Sequence, residues 1–176
     1  MLNGDHLWSL FRVPISMQNA KDSFYLALRS RLAVINPQRT VLVRGALRPG
    51  ILLEDAEGPV AQPPADVFVL RWGALGTETE LPSAMVAMEC EISYCTSGTQ
   101  AFGGLDRGRS LAAMDRELIA ILHPLSTPKV NYSVQPAALM QTQVFWDEPA
   151  FPSISIQRDR VSRSARVMVY SYQEQG

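Results

Sequence analysis

Between Met85 and Leu122 the apolar positions change period twice without a break. Val86, Met88, Cys90, Ile92 and Tyr94 alternate with Ala87, Glu89, Glu91, Ser93 and Cys95, the two-residue repeat of a strand with one buried face. Glycines at 98, 103, 104 and 108 then interrupt the pattern. Beyond them Leu111, Met114, Leu118, Ile121 and Leu122 recur at helical spacing, with Arg116 and Glu117 turned outward, and His123-Pro124 stops the run. Strand, tight connection and amphipathic helix in that order predict an α+β fold in which the helix at 109–122 covers the apolar side of a mainly antiparallel sheet.

The rest of the chain supplies the sheet's other members and a second helix. Met17, Phe24, Leu28, Leu32 and Ile35 recur at helical spacing while Lys21, Arg29 and Arg31 lie on the other sides, which predicts a helix from 16 to 35 with Ser16 as its N-cap and Asn36-Pro37 as its stop. Residues 40–44 and 50–53 read as short strands parted by a turn at Arg48-Pro49-Gly50. Residues 55–64, with Gly58, Pro59, Pro63 and Pro64, read as an exposed loop. Residues 67–72 should form a long hairpin with the strand that starts at Met85, and residues 139–146 a further strand. Residues 153–157 and 165–172 pair as a closing hairpin around a polar turn with Arg158, Asp159, Arg160, Ser162 and Arg163. The apolar stretch Leu7, Trp8, Leu10, Phe11 and Val13 either packs on the domain or acts as an N-terminal arm, within residues 1–15, that docks on a neighbour.

Composition narrows the class. A chain of 176 residues with 47% hydrophobic content builds one core without disulfide staples, so residues 1–176 read as a single domain. No apolar run approaches the ~18 residues that span a bilayer, and the beginning of the chain, with Asp5 and His6, lacks the pattern of a secretory signal. These features predict a protein kept in a reducing cytoplasm. Cys90 and Cys95 point to opposite faces of one strand and should not bond to each other. With His6 and His123 as the other soft ligands, and neither a CxxC nor an HxxxH pair, no metal or organic cofactor is expected.

The net charge of −1 is unevenly spread. Residues 1–50 hold seven Lys/Arg against two Asp/Glu, while residues 54–91 hold eight acids against Arg71 alone. Either these are solvated loops of opposite sign within one subunit, or they are complementary surfaces between subunits, with Glu54, Asp55, Glu57, Glu78, Glu80, Arg44 and Arg48 as the candidate interface residues.

Catalytic chemistry finds little to work with. Cys95-Thr96-Ser97-Gly98 at a strand end is a place for a nucleophile, yet no GxSxG elbow is present and the nearby His123 closes a helix, where a positive imidazole would suit the dipole. Glu89 and Glu91, about 7 Å apart by strand rise, could pair as acid and base or bind a metal, or simply form a solvated outer face. The glycine loop lacks the lysine and the GxGxxG spacing of phosphate-binding turns. Arginines 158, 160, 163 and 166 lack the interleaved aromatics of a single-strand binder and read as a charged hairpin tip. No catalytic, cofactor-binding or metal residue is therefore assigned.

The order of elements, a leading helix, strands with long loops, one central helix and a closing hairpin, resembles the tail-terminator and tail-completion proteins of long-tailed bacteriophages. The likeness is carried by residues 17–35, by Met88-Glu-Cys-Glu-Ile-Ser-Tyr-Cys95 through Arg109-Ser-Leu-Ala-Ala-Met-Asp-Arg-Glu-Leu118, and by Arg166-Val-Met-Val-Tyr-Ser-Tyr172. The loop at 55–64 and the apolar start at 7–13 exceed a minimal member. The resemblance implies a non-enzymatic virion protein, assembled in the host cytoplasm as a ring of six copies that caps the tail tube or joins it to the head. Its partners would be further copies of itself, the tail-tube protein and head-completion proteins, with no membrane and no sequence-specific nucleic acid. Two other classes stay open: a small hydrolase-like enzyme with its site near Cys95, and a protein-binding adaptor with an exposed apolar groove.

Overall fold

A computed structural model describes residues 15–57, 63–76 and 85–172. In chain order the elements are α1 (Ile15–Ile35), β1 (Thr40–Val43), β2 (Ala46–Pro49), β3 (Ile51–Leu53), the single turn α2 (Glu54–Glu57), β4 (Phe68–Gly76), β5 (Met85–Thr96), a 3-10 turn (Gln100–Phe102), α3 (Arg107–Leu122), β6 (Ser126–Asn131), β7 (Ala138–Trp146), β8 (Ser155–Gln157) and β9 (Arg160–Tyr172). The main sheet runs β3-β4-β5-β9-β7-β6, with β8 also paired to β9, and is antiparallel throughout except for the β3/β4 pair. The α+β fold with two principal helices and a closing hairpin is the one expected from the sequence.

Alternation along β5 decides the layering. Val86, Met88, Cys90, Ile92 and Tyr94 all enter the main core, where they meet Phe68 and Leu70 of β4, Ala165, Val167 and Val169 of β9, and both long helices. From α1 the core receives Met17, Phe24, Leu28 and Leu32, and from α3 it receives Leu111, Met114, Leu118, Ile121 and Leu122. Phe24 anchors the middle, with its ring edge-on to Trp72 at 5.6 Å and to Trp146 at 4.9 Å between centroids. Ile35, expected on the buried stripe, is exposed at the last residue of α1, one turn beyond the sheet contact.

The opposite face carries a smaller apolar patch. Leu52, Val67 and Val69 are buried beneath Val41 and Val43, so the β1–β2 ribbon lies over one end of that face. Farther along, the face is open and charged, and the strand register sets Arg71 beside Glu91 and Glu91 beside Arg166.

Several expected boundaries move. Helix α1 already runs at Ile15, so Ser16 lies inside its first turn instead of capping it. The turn expected at Arg48-Pro49-Gly50 is strand β2, and the chain reverses at Arg44-Gly45, whose φ angles of 49° and 80° suit the two-residue hairpin that joins Val43 to Ala46. Part of the loop expected at 55–64 is the helical turn α2. Strand β6 stands where no strand was expected, and Pro128 is tolerated there because β6 is an edge strand. Arg160, Ser162 and Arg163, expected in a turn, are strand residues of β9, which leaves only Arg158 and Asp159 to turn. The apolar stretch at residues 7–13 and the tip of the β4–β5 hairpin lie outside the described residues.

Candidate functional site

Cys95 sits next to last on β5, on the face away from the helices, opposite Ser162 of β9. It is buried, and its Sγ is 3.7 Å from the Pro63 carbonyl oxygen and 3.9 Å from Arg160 Nη1. Arg160 Nη1 in turn donates to that same carbonyl at 3.2 Å. Beside the thiol opens a cleft of about 570 Å³, lined by Ser93, Ser162 and Ser164 hydroxyls and by Gln157 and Asp159 of the β8–β9 turn. Ser93 Oγ and Ser164 Oγ are hydrogen-bonded to one another at 2.9 Å. Burial pushes the Cys95 thiol above its ordinary value, and the Arg160 guanidinium opposes that shift only in part. The sulfur is therefore held as a thiol, the less nucleophilic form.

His123 lies far from this cleft. It follows α3, whose Leu122 carbonyl accepts a hydrogen bond from Trp146 Nε1 at 2.9 Å. Trp146 is level with Val169, and Val169 with Met88. Met88 and Cys95 are seven residues apart on one strand, roughly 23 Å, so the imidazole and the thiol belong to opposite ends of the sheet. His123 Nε2 instead stands 3.0 Å from Glu148 Oε1 at the surface.

The dense polar contacts of the molecule join elements together. Tyr94 Oη donates to Asp115 Oδ1 of α3, and Arg163 Nε is 3.2 Å from the same oxygen. Burial, then the Asp115 hydrogen bond, pushes the Tyr94 phenol upward. Arg163 also donates to the Pro152 carbonyl at 2.7 Å and lies over the Phe151 ring. At the other end of α3, Arg31 donates to the carbonyls of Ile121, Pro124 and Ser126 at 3.0, 2.8 and 2.8 Å and stacks on Trp146. Arg39 forks onto Glu117, which also accepts from Asn36 Nδ2 at 2.8 Å, and reaches the Asp66 carbonyl. Lys129 is fully buried on β6 and donates to the Tyr172 carbonyl at 2.7 Å and to Ser171 Oγ at 3.0 Å.

The connection from β5 to α3 is held by Asp106. Its carboxylate accepts from Thr99 N at 2.9 Å and from Thr99 Oγ1 at 3.0 Å, and the backbone bond holds it below the usual aspartate range. One turn of chain away, Gly104 has φ of 80° and lies directly beneath the Arg107 guanidinium, where a Cβ would come within 2.7 Å of Nη2. Gly98 and Gly104 leave room for the Arg107 side chain, which also donates to the Ser97 carbonyl at 3.3 Å.

The candidate interface residues separate into three groups. Arg48 is ion-paired with Glu57, and Glu54 with Arg71 at 2.6 Å, so these charges meet inside the chain. Glu57 also accepts the Leu53 backbone N–H at 3.1 Å. Arg44 and Asp55 are exposed, Arg44 at the ribbon's turn and Asp55 on α2, while Glu78 and Glu80 lie outside the described residues. Glu89 and Glu91 are half-buried on the open face, and Glu91 accepts from Ser93 Oγ at 3.3 Å. Among the described residues no three His, Cys, Asp or Glu side chains gather as a metal site, and no helix is long and apolar enough to cross a membrane.

Exposed apolar side chains form a distinct surface class. Leu42 and Leu47 oppose each other across the β1–β2 ribbon and are 68% and 69% exposed. Ile156 on β8 and Leu105 before α3 are exposed to a similar or greater degree. No sequence signal marked these positions, because a β-branched or leucine residue in a short strand reads equally well as core. No protein-family model matches the chain, and no curated protein matches it in sequence.

Proposed function

We propose that the protein is a structural subunit of the tail-terminator kind, which assembles as a ring, of six copies by the resemblance, on the end of a phage tail tube or at its junction with the head. The observation that carries this reading is the placement of large apolar side chains on projecting elements, Leu42 and Leu47 on the ribbon and Ile156 on an edge strand, in a domain whose core is otherwise closed. Single apolar residues on a surface are ordinary, but a matched cross-strand leucine pair on a short ribbon, left 68% and 69% exposed, buries little of its apolar area within the subunit that bears it. Contacts between two different patches, ribbon of one copy to edge of the next, would be heterologous and form a ring where the rotation between copies closes. The buried protonated thiol of Cys95 and its separation from His123 favour this reading over a hydrolase.

The test is assembly. Light scattering and electron microscopy of the purified full chain, alone and mixed with tail tubes, should reveal rings or capped tube ends, and Leu42→Asp combined with Leu47→Asp should abolish them while leaving the circular-dichroism spectrum unchanged. A chain that stays monomeric, ignores tube ends and leaves tube length unaltered defeats the proposal.

A further inference from the structure

Side-chain alternation along β9 puts Arg160, Ser162 and Ser164 on the sheet face turned away from the helices. The register sets Ser164 opposite Ser93, Ser162 opposite Cys95 and Arg160 opposite Gln157, so β5, β8 and β9 together wall the cleft beside the thiol. Asp159, in the turn between β8 and β9, completes its rim. At about 570 Å³ the cleft falls within the range of about 300–1,000 Å³ of small-molecule sites, and it far exceeds the ~30 Å³ that one water occupies.

The lining both donates and accepts. Ser93 Oγ and Ser164 Oγ are 2.9 Å apart and either can donate, while Ser93 Oγ also reaches Glu91 at 3.3 Å, so the pair can offer the cleft a hydroxyl proton or a lone pair. Ser162 Oγ is loosely held, 3.5 Å from the Ser155 carbonyl oxygen. Gln157 carries an amide N–H₂ and a carbonyl, and among the described residues neither it nor Asp159 has a side-chain hydrogen bond. Arg160 donates from Nη1 to the Pro63 carbonyl, which leaves its Nε and Nη2 protons without an acceptor among the described residues. Behind burial, Arg160 and Asp159 act on the Cys95 thiol with opposite sign, yet no ion pair joins them.

These groups select by exclusion. An anion that meets Arg160 also meets the Asp159 carboxylate, and a cation that meets Asp159 also meets the Arg160 guanidinium. A small zwitterion answers the two charges and leaves the serines and Gln157 unanswered. An apolar molecule strips water from hydroxyl, amide and charged groups and returns no hydrogen bond. A hydroxyl group donates and accepts at once, so it can pair with every one of them. We propose that the cleft beside Cys95 binds a neutral polyhydroxylated molecule of mono- or disaccharide size. Ligand hydroxyls donate to Asp159 and accept from Arg160 at the rim, and pair with Ser162, Ser164 and Gln157 along the wall. The inference rests on this cleft alone and holds whether or not the chain assembles as a ring.

Saturation-transfer difference NMR on the full chain tests it, because the signal comes from the ligand and is read equally well from monomers and rings. The probes are glucose, N-acetylglucosamine and maltose, with acetate, methylammonium and glycine as charged counterparts. At least one sugar should give a signal, and Gln157→Ala, at an exposed position, should weaken its affinity roughly three- to tenfold, the change that one net hydrogen bond gives. Ser164→Leu, which fills the cleft, should abolish the signal, while Leu42→Asp on the ribbon should leave it unchanged. Silence from all three sugars, a stronger signal from acetate, methylammonium or glycine, a sugar signal that survives Ser164→Leu or ignores Gln157→Ala, or its loss in Leu42→Asp would each overturn the proposal.

Discussion

Strand β5 has one face under two helices and one face toward solvent, and the two are built on different rules. On the covered side Met88, Cys90, Ile92 and Tyr94 are shut away in one core cluster with side chains of the neighbouring strands and both long helices. On the other side Glu89, Glu91 and Ser93 are half-buried, and Glu91 is flanked by Arg71 and Arg166 on the neighbouring strands. Stability resides in the first set, where each buried aliphatic side chain contributes about 1.5–3 kcal/mol. The second set balances charge strand by strand, so it keeps an open sheet face soluble without adding much to folding free energy.

The difference is sharpest where one side chain is removed from each face. Ile92→Ala should cost about 2–5 kcal/mol in a urea melt, because the side chain is fully enclosed and its loss leaves a cavity. A loss under about 1 kcal/mol would mean that the covered face is not the core. Arg31→Ala comes next, at about 1–3 kcal/mol, since it strips a charged donor from three carbonyls at the end of α3. Arg31→Lys should restore only part of that loss, as an ammonium cannot reproduce the fork. A full rescue would show that charge alone matters there.

Acid should expose the β5–α3 connection. Asp106 has a folded-state pKa below its unfolded one, so the stability it contributes is present above about pH 4 and is lost as pH falls through the lower, folded value. Asp106→Asn should flatten that part of the stability profile, and melts at several pH values that remain parallel for both proteins would contradict the role. The smallest effect belongs to the open face: Glu91→Ala should change stability by no more than about 0.5 kcal/mol. A larger loss would show that the Arg71, Glu91 and Arg166 row acts as a network.

Much of this division was legible in the sequence, and for a physical reason. Period-2 and helical repeats report burial directly, so every core position of β5 and α3 was assigned from local pattern. The ribbon was misplaced because Arg48-Pro49-Gly50 has stronger turn chemistry than Arg44-Gly45, yet Pro49 ends an edge strand where it loses no bond it needs. Strand β6 was missed because Ser126-Thr-Pro-Lys-Val-Asn131 has no alternation, its burial being imposed by α1. The arginine contacts were beyond reach altogether. Arg31 meets its carbonyls 90 to 95 residues away, Arg39 meets Glu117 at a separation of 78, and no local signal encodes either. For the candidate site, the sequence supplied Cys95 and His123 as neighbours in chain order, and only the register of β5, β9 and β7 sets them apart.

The central pairing of β5 with β9 has a consequence in time. Twelve residue pairs join these strands, yet roughly sixty residues separate the end of one from the start of the other. On a ribosome adding about 5–20 residues per second, β5 waits some 3–12 seconds with one hydrogen-bonding edge unfilled. During that interval β4 occupies only its other edge, and α3 can shield one face but not the rim. Newly made chains are therefore most vulnerable to pairing with each other before β9 emerges, and slower translation between residues 97 and 159 should raise the fraction lost to aggregates.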